Sequence, residues 1–265
     1  MAGKLGLLKE YIASLESVAV AFSGGVDSTL LLKVAHDVLG DKAIAVTITS
    51  NFIATRELNE AKIFCADKNI NHVIIHVDET KIEGFADNPP NRCYLCKKEL
   101  FTKILAIARE NNIANVVEGS NLDDLGDYRP GLQAIEELGI KSPLRAAGLS
   151  KAEVRELSWE LGLKTWDKPS FACLASRFVY GERITPEKLH MVGKAEELLI
   201  SLGFKQFRVR IHGNIARIEI LPEDFARIIQ DDTRTKIYGT LKNLGFSYVT
   251  LDLKVYRTGS MNETL

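Results

Sequence analysis

Long apolar runs are missing from this chain of 265 residues. No window approaches the roughly 20 apolar residues that a membrane-spanning helix needs. The first 15 residues are interrupted by Lys4, Lys9 and Glu10, so they lack the apolar centre of a secretory signal. We therefore expect a soluble, cytoplasmic protein that has no membrane partner.

A strong charge of either sign is also missing. The chain has 34 basic and 35 acidic residues, which gives a net charge of −1. No global field draws a polyanion to such a protein, so we expect no nucleic acid partner, although the composition leaves a local basic patch open.

Cysteine is scarce, with four residues in the whole chain. In a cytoplasmic protein so few cysteines are more typical of thiols or metal ligands than of disulfides. Cys65 lies in the helical pattern of residues 61–67, and we interpret it as a small buried hydrophobic residue.

The most informative segment is residues 23–28, which read Ser-Gly-Gly-Val-Asp-Ser between a strand-like apolar run and a helix-like stretch. Gly24 and Gly25 permit the positive φ angles of a tight turn, and the N–H groups at the start of the helix then favour an anion. Asp27 and Ser28 are candidates to cap that helix or to bind a metal that bridges phosphates. The Walker A and dinucleotide patterns are both absent. The segment predicts a phosphate loop rather than an ordinary strand–turn–helix corner.

This string resembles the PP-loop of the N-type ATP pyrophosphatases, the superfamily of NAD synthetase, GMP synthetase and the tRNA thiolation enzymes. The resemblance implies that ATP is cleaved between its α and β phosphates, that AMP is attached to a substrate oxygen, and that a nucleophile then displaces AMP. It also implies that pyrophosphate and Mg²⁺ are held by Ser23, Gly24, Gly25, Asp27 and Ser28.

Strand and helix patterns alternate after the loop. Strands are predicted at residues 43–50, 72–77 and 114–119, and helices at residues 57–69, 97–111, 132–138 and 150–161. This alternation is typical of an α/β fold with a doubly wound parallel sheet, in which ligands bind beyond the carboxyl ends of the strands. That rim would bring Ser50, Phe52, Gly119 and Asp123 to the nucleotide. Ser150 and Glu153 form a capping box at the start of the last helix.

The pattern changes near residues 178–182. A helix is predicted at residues 186–202, followed by strands at 207–211 and 215–221, a helix at 233–244 and a strand at 248–253. We therefore predict an ATP pyrophosphatase domain at residues 1–177 and a smaller α+β domain, for substrate binding or oligomerisation, at residues 178–265. Arg208 and Arg210 alternate onto one strand face, where they could hold carboxylates or phosphate or could simply be solvated.

Three cysteines form the second chemical signal. Cys93 and Cys96 make a Cys-x-x-Cys pair, and Cys173 follows far downstream. Three thiolates suit a [4Fe-4S] cluster that keeps one iron open, and structural zinc usually needs a fourth ligand. Redox or persulfide chemistry without a cluster, structural zinc and inert thiols stay open as alternatives.

The segment 118–131, together with Ser176-Arg177-Phe178 and the strand residues around Arg208 and Arg210, resembles the LarE family of sulfur transferases along essentially the whole chain. The resemblance implies adenylation of a carboxylate of pyridinium-3,5-biscarboxylic acid mononucleotide and its conversion to a thiocarboxylate for the nickel-pincer cofactor. Some members sacrifice one cysteine as sulfur donor, while others with three cysteines are thought to use an iron–sulfur cluster. The resemblance places Cys93, Cys96 and Cys173 in the second group.

The same resemblance extends the predicted site. Ser176, Arg177, Arg208 and Arg210 become candidates for substrate binding, and Arg129 for the nucleotide. Glu196 matches a family position near the sulfur site, although its sequence context alone indicates a surface residue.

We expect an ATP-dependent sulfur transferase that acts on a small nucleotide substrate, is a homo-oligomer and receives sulfur from a donor protein. A tRNA thiolase or an amide-forming synthetase with the same loop is the first alternative. A non-catalytic nucleotide sensor is the second.

Overall fold

The computed structural model of the protein describes residues 2–50, 55–126, 130–169, 173–257 and 259–264. Its contacts form two compact units, Met1–Asp78 with Cys93–Ser170, and Glu79–Arg92 with Phe171–Leu265. Residues 79–92 join the C-terminal unit because the N–H groups of Gly181 and Ile184 donate to the carbonyls of Asn88 and Ala86, at 2.9 and 2.8 Å. The domain boundary after residue 177 stays a prediction.

The N-terminal unit is built on a parallel sheet of four strands in the order β3-β2-β1-β4. These strands are β1 (Val18–Ala21), β2 (Ala43–Thr49), β3 (His72–His76) and β4 (Asn115–Val117). All three strand pairs are parallel, so the carboxyl ends of the strands meet at one edge. The sheet confirms the predicted α/β class.

Helices cover both faces of this sheet, as the alternation of strand side chains requires. Val18 and Val20 of β1 belong to one apolar core, whereas Ala19 belongs to a second core with Ile44 and Val46 of β2. The helices of the unit are α1 (Ala2–Ser14), α2 (Val26–Leu39), α3 (Thr55–Asp67), α4 (Arg92–Glu110), α5 (Pro130–Glu137), α6 (Pro143–Ala146) and α7 (Lys151–Glu160).

The first core takes residues from α1, α2 and α7, and the second takes residues from α4 and α5. The sheet is therefore doubly wound, as predicted. None of the helices in the described residues combines the length and the apolar composition that crossing a bilayer requires.

Helix α4 differs most from its predicted bounds, because it begins at Arg92 instead of residue 97. The Cys-x-x-Cys pair therefore lies within the first two turns of a helix and not before it. Helix α7 begins as predicted, since Ser150 and Glu153 form a complete capping box.

The C-terminal unit contains a smaller sheet of three strands, β5 (Phe207–His212), β6 (Ile215–Ile220) and β7 (Tyr248–Leu251). The β5 and β6 strands form the predicted antiparallel hairpin, with Gly213 at a φ of 61° in the turn, and β7 pairs parallel to β6. Helices α8 (Pro186–Ser201), α9 (Phe225–Ile228) and α10 (Asp231–Asn243) complete the unit. Five consecutive residues of β5, from Phe207 to Ile211, are buried, so both faces of this strand are covered.

Candidate functional site

The phosphate loop, residues 23–28, follows β1 and leads into α2. Gly24 has a φ of 71°, a left-handed conformation that favours glycine, whereas Gly25 has a φ of −79°. The prediction that both glycines use positive φ angles is therefore wrong for Gly25. A Cβ atom at Gly24 would also lie 3.5 Å from the carbonyl oxygen of Glu57, so α3 approaches the loop closely.

The start of α2 has Gly25 as its N-cap, without a side-chain capping bond. The Ser28 hydroxyl lies 3.1 Å from the Ser23 hydroxyl and donates to the carbonyl of Gly25 at 3.3 Å, so it does not cap the helix, and Asp27 does not either. The predicted capping role is therefore wrong. Because no side chain of the described residues caps α2, the loop retains the N–H donors that an anion needs.

The carboxyl end of β4 lies against the start of α2. A Cβ atom at Gly119 would lie 3.1 Å from the Ser28 nitrogen and 3.2 Å from the Asp27 Cβ, so only glycine fits this approach without a shift. The structure thus brings Gly119 to the phosphate loop, as the rim prediction required. Ser50 is buried directly after β2, while Phe52 and Arg129 lie outside the described residues.

Asp27 is the centre of a polar network at the loop. Its Oδ1 accepts a hydrogen bond from Asn121 Nδ2 at 3.0 Å, and its Oδ2 forms an ion pair with Lys151. Asp123 is exposed, and its Oδ2 accepts from the backbone N–H of Lys151 at 2.9 Å. Asp123 thus anchors the start of α7 beside the loop, and its role as a metal or substrate ligand stays a prediction.

Two lysines near the loop were missed by the sequence analysis. Lys151 contacts Asp27 from 124 residues away, and Lys168 reaches the carbonyl oxygen of Gly24 from 144 residues away. No periodicity or motif spacing marks either residue. Asn121 carried a signal, because it lies in the segment after β4 that the parallel sheet places at the nucleotide rim.

The three predicted sulfur-site cysteines differ from Cys65 in their accessibility. Cys93 and Cys173 are exposed and Cys96 is half-buried, whereas Cys65 is 1% exposed. Burial raises the pKa of the Cys65 thiol to about 12, which suppresses its thiolate form and confirms its assignment as a buried hydrophobic residue.

The donor set suits an iron–sulfur cluster in its chemistry. Cys93 and Cys96 are three residues apart in the first two turns of α4 in the N-terminal unit, and Cys173 precedes the turn Leu174–Arg177 in the C-terminal unit. Among the residues that the structure describes, no three His, Cys, Asp or Glu side chains form a group that could hold a metal ion. The cluster therefore stays a prediction that rests on the thiols themselves.

The C-terminal unit contains an arginine cluster, which we define as Arg177, Arg208, Arg210 and Arg217 with the carboxylates of Glu196, Glu219 and Asp252. Arg177 is 1% exposed and holds Glu196 through two hydrogen bonds of 2.7 and 2.9 Å. Arg210 holds Glu219 through bonds of 3.2 and 3.0 Å, and Arg217 donates to the same carboxylate at 2.9 Å. Arg217 also lies 3.6 Å from Asp252.

Arg208 and Arg210 are buried, with exposed fractions of 6% and 5%. The alternative that they form a solvated face is therefore wrong. Burial, followed by the positive charge of Arg177, lowers the pKa of Arg208, whose guanidinium stacks on the Tyr256 ring at 5.1 Å. Burial also lowers the pKa of Arg210, although its hydrogen bond to Glu219 opposes the shift.

Glu196 is buried as well, so its sequence-based assignment to the surface is wrong. Its Oε1 accepts from Arg177 and from the backbone N–H of Val209 at 3.1 Å, which joins α8 to β5. Burial is the first cause of the lowered pKa of Arg208, and the positive charge of Arg177 adds to it. Buried positive charges that repel each other favour a bound anion, which makes the cluster a candidate anion site.

The arginine cluster also holds the turn that follows Cys173. The Ser176 hydroxyl donates to the Cys173 carbonyl at 2.8 Å, and Arg177 Nη1 donates to the Ser176 hydroxyl at 2.7 Å. Arg210 Nη1 donates to the Ser176 carbonyl at 2.8 Å. The structure thus brings together six predicted site residues: Cys173, Ser176, Arg177, Glu196, Arg208 and Arg210.

Comparison with known proteins finds some matches to part of the chain and others to nearly all of it. A family model described as NAD synthase matches residues 5–88, the part that contains the phosphate loop. An uncharacterized protein of Synechocystis is 45% identical over 99% of this chain and 98% of its own length. A glutamine-hydrolyzing GMP synthase chain of Archaeoglobus fulgidus is 31% identical over 68% of this chain and 63% of its own length.

Another relative is the pyridinium-3,5-bisthiocarboxylic acid mononucleotide synthase of Lactiplantibacillus plantarum. It is 40% identical over 100% of this chain and 96% of its own length. The match therefore includes the phosphate loop and the arginine cluster alike. The chain belongs to the family of this synthase, the LarE sulfur transferases of the PP-loop superfamily.

Proposed function

We propose that this protein is an ATP-dependent sulfur transferase that converts a carboxylate of pyridinium-3,5-biscarboxylic acid mononucleotide to a thiocarboxylate, for nickel-pincer nucleotide biosynthesis. The main support for this proposal is a set of buried guanidinium groups that donate hydrogen bonds to the turn after Cys173. A substrate with two carboxylates and a phosphate offers the planar anions that guanidinium groups bind. Family membership supports the substrate assignment.

ATP with Mg²⁺ is the nucleotide substrate of this family. The N–H groups at the start of α2 would bind the β and γ phosphates, and Asp27 would hold the Mg²⁺ ion, which would offset part of the phosphate charge. A substrate carboxylate oxygen then attacks the α phosphorus, the bond to the β phosphate oxygen breaks, and pyrophosphate leaves. The product is a mixed anhydride of the carboxylate with AMP, in which the carbonyl carbon is activated toward a sulfur nucleophile.

The sulfur step needs a nucleophile that displaces AMP from that carbonyl carbon. We propose that Cys93, Cys96 and Cys173 hold a [4Fe-4S] cluster, which would supply a transferable sulfide when bound. The Ser176 hydroxyl donates to the carbonyl of Cys173, and Arg177 holds that hydroxyl, so the two residues would keep the backbone of Cys173 in place. The homo-oligomer and the sulfur-donor protein also belong to this proposal, and they rest on the family resemblance.

The test combines anaerobically purified protein with ATP, Mg²⁺, the biscarboxylate mononucleotide and a sulfide source. We expect pyrophosphate and AMP in equal amounts, with thiocarboxylate detected by mass spectrometry. Nucleotide binding without pyrophosphate release would instead support a sensor. An amide product formed with ammonia, or turnover that requires tRNA, would support another PP-loop enzyme.

A further inference from the structure

The phosphate loop has no lysine within its own sequence, yet a lysine lies against it. Lys168 Nζ donates to the carbonyl oxygen of Gly24 at 2.9 Å and to Glu60 Oε2 of α3 at 2.7 Å. The Lys168 side chain is 10% exposed, and the Glu60 side chain is 39% exposed. An ammonium group is thus held at the residue whose positive φ angle shapes the loop.

The backbone around Lys168 is fixed by Arg155 of α7. Arg155 Nη1 donates to the Trp166 carbonyl at 2.6 Å, and Nη2 donates to the Lys168 carbonyl at 2.9 Å. The Lys168 N–H donates to the Thr165 carbonyl at 3.0 Å, which closes a turn. Three hydrogen bonds therefore fix the backbone around Lys168, and this fixed backbone holds the ammonium group at the loop.

We propose that Lys168 binds the pyrophosphate part of the nucleotide and supplies, from the end of the N-terminal unit, the cation that the loop sequence lacks. The inference rests on the proposed function, because it requires that the loop holds pyrophosphate. An ammonium group has three N–H donors, and the contacts to Gly24 and Glu60 use two of them. The third can reach a phosphate oxygen while the contact to the loop is kept.

Glu60 has a defined part in this arrangement. Its carboxylate balances the ammonium charge when no anion is present, and it competes with phosphate for the same cation. A purely structural pair with an exposed carboxylate contributes little to stability, about 0–1 kcal/mol in general. A binding role predicts a different result, since removal of Glu60 should then strengthen pyrophosphate binding and not only weaken the fold.

The experiment measures binding of inorganic pyrophosphate with Mg²⁺, and separately of AMP, by calorimetry on the full chain. Lys168→Met should weaken pyrophosphate binding about 10- to 100-fold, the factor that a charge-assisted hydrogen bond gives, and leave AMP binding unchanged. Glu60→Gln should strengthen pyrophosphate binding severalfold, and only when Lys168 is present. Lys33→Met is the matched control, because it removes an ion pair on α2 in which Lys33 lies 2.5 Å from Asp37. It should change neither the pyrophosphate affinity nor the AMP affinity.

Two further variants distinguish failure of the proposed function from failure of the role of Lys168 alone. Gly24→Ala forces a side chain into a φ of 71° and should abolish pyrophosphate binding if the loop is the site. If the wild-type protein binds no pyrophosphate, the proposed function fails. If the wild type binds it, Gly24→Ala does not, and Lys168→Met binds like the wild type, only the role of Lys168 fails. Should Lys168→Met not fold, Lys168→Gln and Glu60→Gln decide between the same outcomes.

Discussion

The Lys151 ammonium forms an ion pair with the Asp27 carboxylate across 124 residues of sequence. The pair joins the first residue of α7 to the first turn of α2, and Asn121 holds the other carboxylate oxygen at 3.0 Å. Asp27 therefore has two possible tasks at the loop, to bind the cation of the nucleotide and to position Lys151. A comparison of variants at the two positions separates them.

We expect Asp27→Ala to lower AMP and pyrophosphate production at least about 100-fold, because the loop would lose the carboxylate proposed to bind the cation of the nucleotide. The fold should persist, since Asp27 is only partly buried. Lys151→Met is the matched control and should lower the rate much less. Equal losses in the two variants would show that Asp27 acts by holding Lys151, and turnover like the wild type in Asp27→Ala would contradict the site.

The second prediction concerns the arginine cluster. Arg208→Ala and Arg210→Ala should each weaken binding of the biscarboxylate mononucleotide by about 1.5–3 kcal/mol and leave ATP binding largely unchanged. Arg210→Ala should also lower the free energy of unfolding by about 1.5–3 kcal/mol, because the buried Glu219 loses one of its two arginine partners and keeps Arg217. Calorimetry and urea unfolding on the same variants measure both effects. Unchanged substrate affinity in folded variants would reduce these arginines to a structural role.

The third prediction concerns sulfur. Serine at Cys93, Cys96 or Cys173 should remove both the visible absorbance of the cluster and thiocarboxylate formation. Cys65→Ala is the matched control and should keep both, because its thiol is buried and has a raised pKa. A sacrificial donor would need one cysteine and leave the protein about 34 Da lighter after turnover, through loss of H₂S from a thiol. A metal-free protein that transfers sulfur and loses that mass would overturn the cluster.

The fourth prediction concerns acid stability through the capping box. A hydrogen bond from Lys4, followed by bonds from the Ser150 backbone and hydroxyl, lowers the pKa of Glu153 from 4.5 to about 2. The folded-state pKa is depressed, so the stability that the carboxylate contributes is present above pH 4.5 and is lost as the pH falls toward 2. Glu153→Gln keeps an acceptor for the cap but does not titrate.

Urea unfolding at several pH values measures this effect. The wild type should be more stable than Glu153→Gln at pH 7, and the difference should shrink between pH 4.5 and 2. Glu156→Gln removes a carboxylate of the same helix that lies outside the capping box, and it should not reproduce the trend. A difference between the wild type and Glu153→Gln that is constant with pH would contradict the predicted linkage.

The sequence by itself determined the features that depend on local interactions. The alternation of apolar runs predicted the doubly wound sheet, and the pair of Ser150 and Glu153 predicted where α7 begins. Gly24 marked the loop, because a positive φ angle is a property of the single residue. Each of these signals lies within a few residues of the element that it predicts, so spacing and residue type were enough.

Tertiary structure alone decided which charges meet. Lys151 and Lys168 reach the phosphate loop from 124 and 144 residues away, and Glu219 holds two arginines inside the C-terminal unit. The same strand pattern fits a solvated arginine face and a buried one, and only the packing on both sides of β5 separates them. Which charged side chains meet depends on how helices and strands pack. The spacing of residues along the chain does not encode the distance between such side chains in the fold.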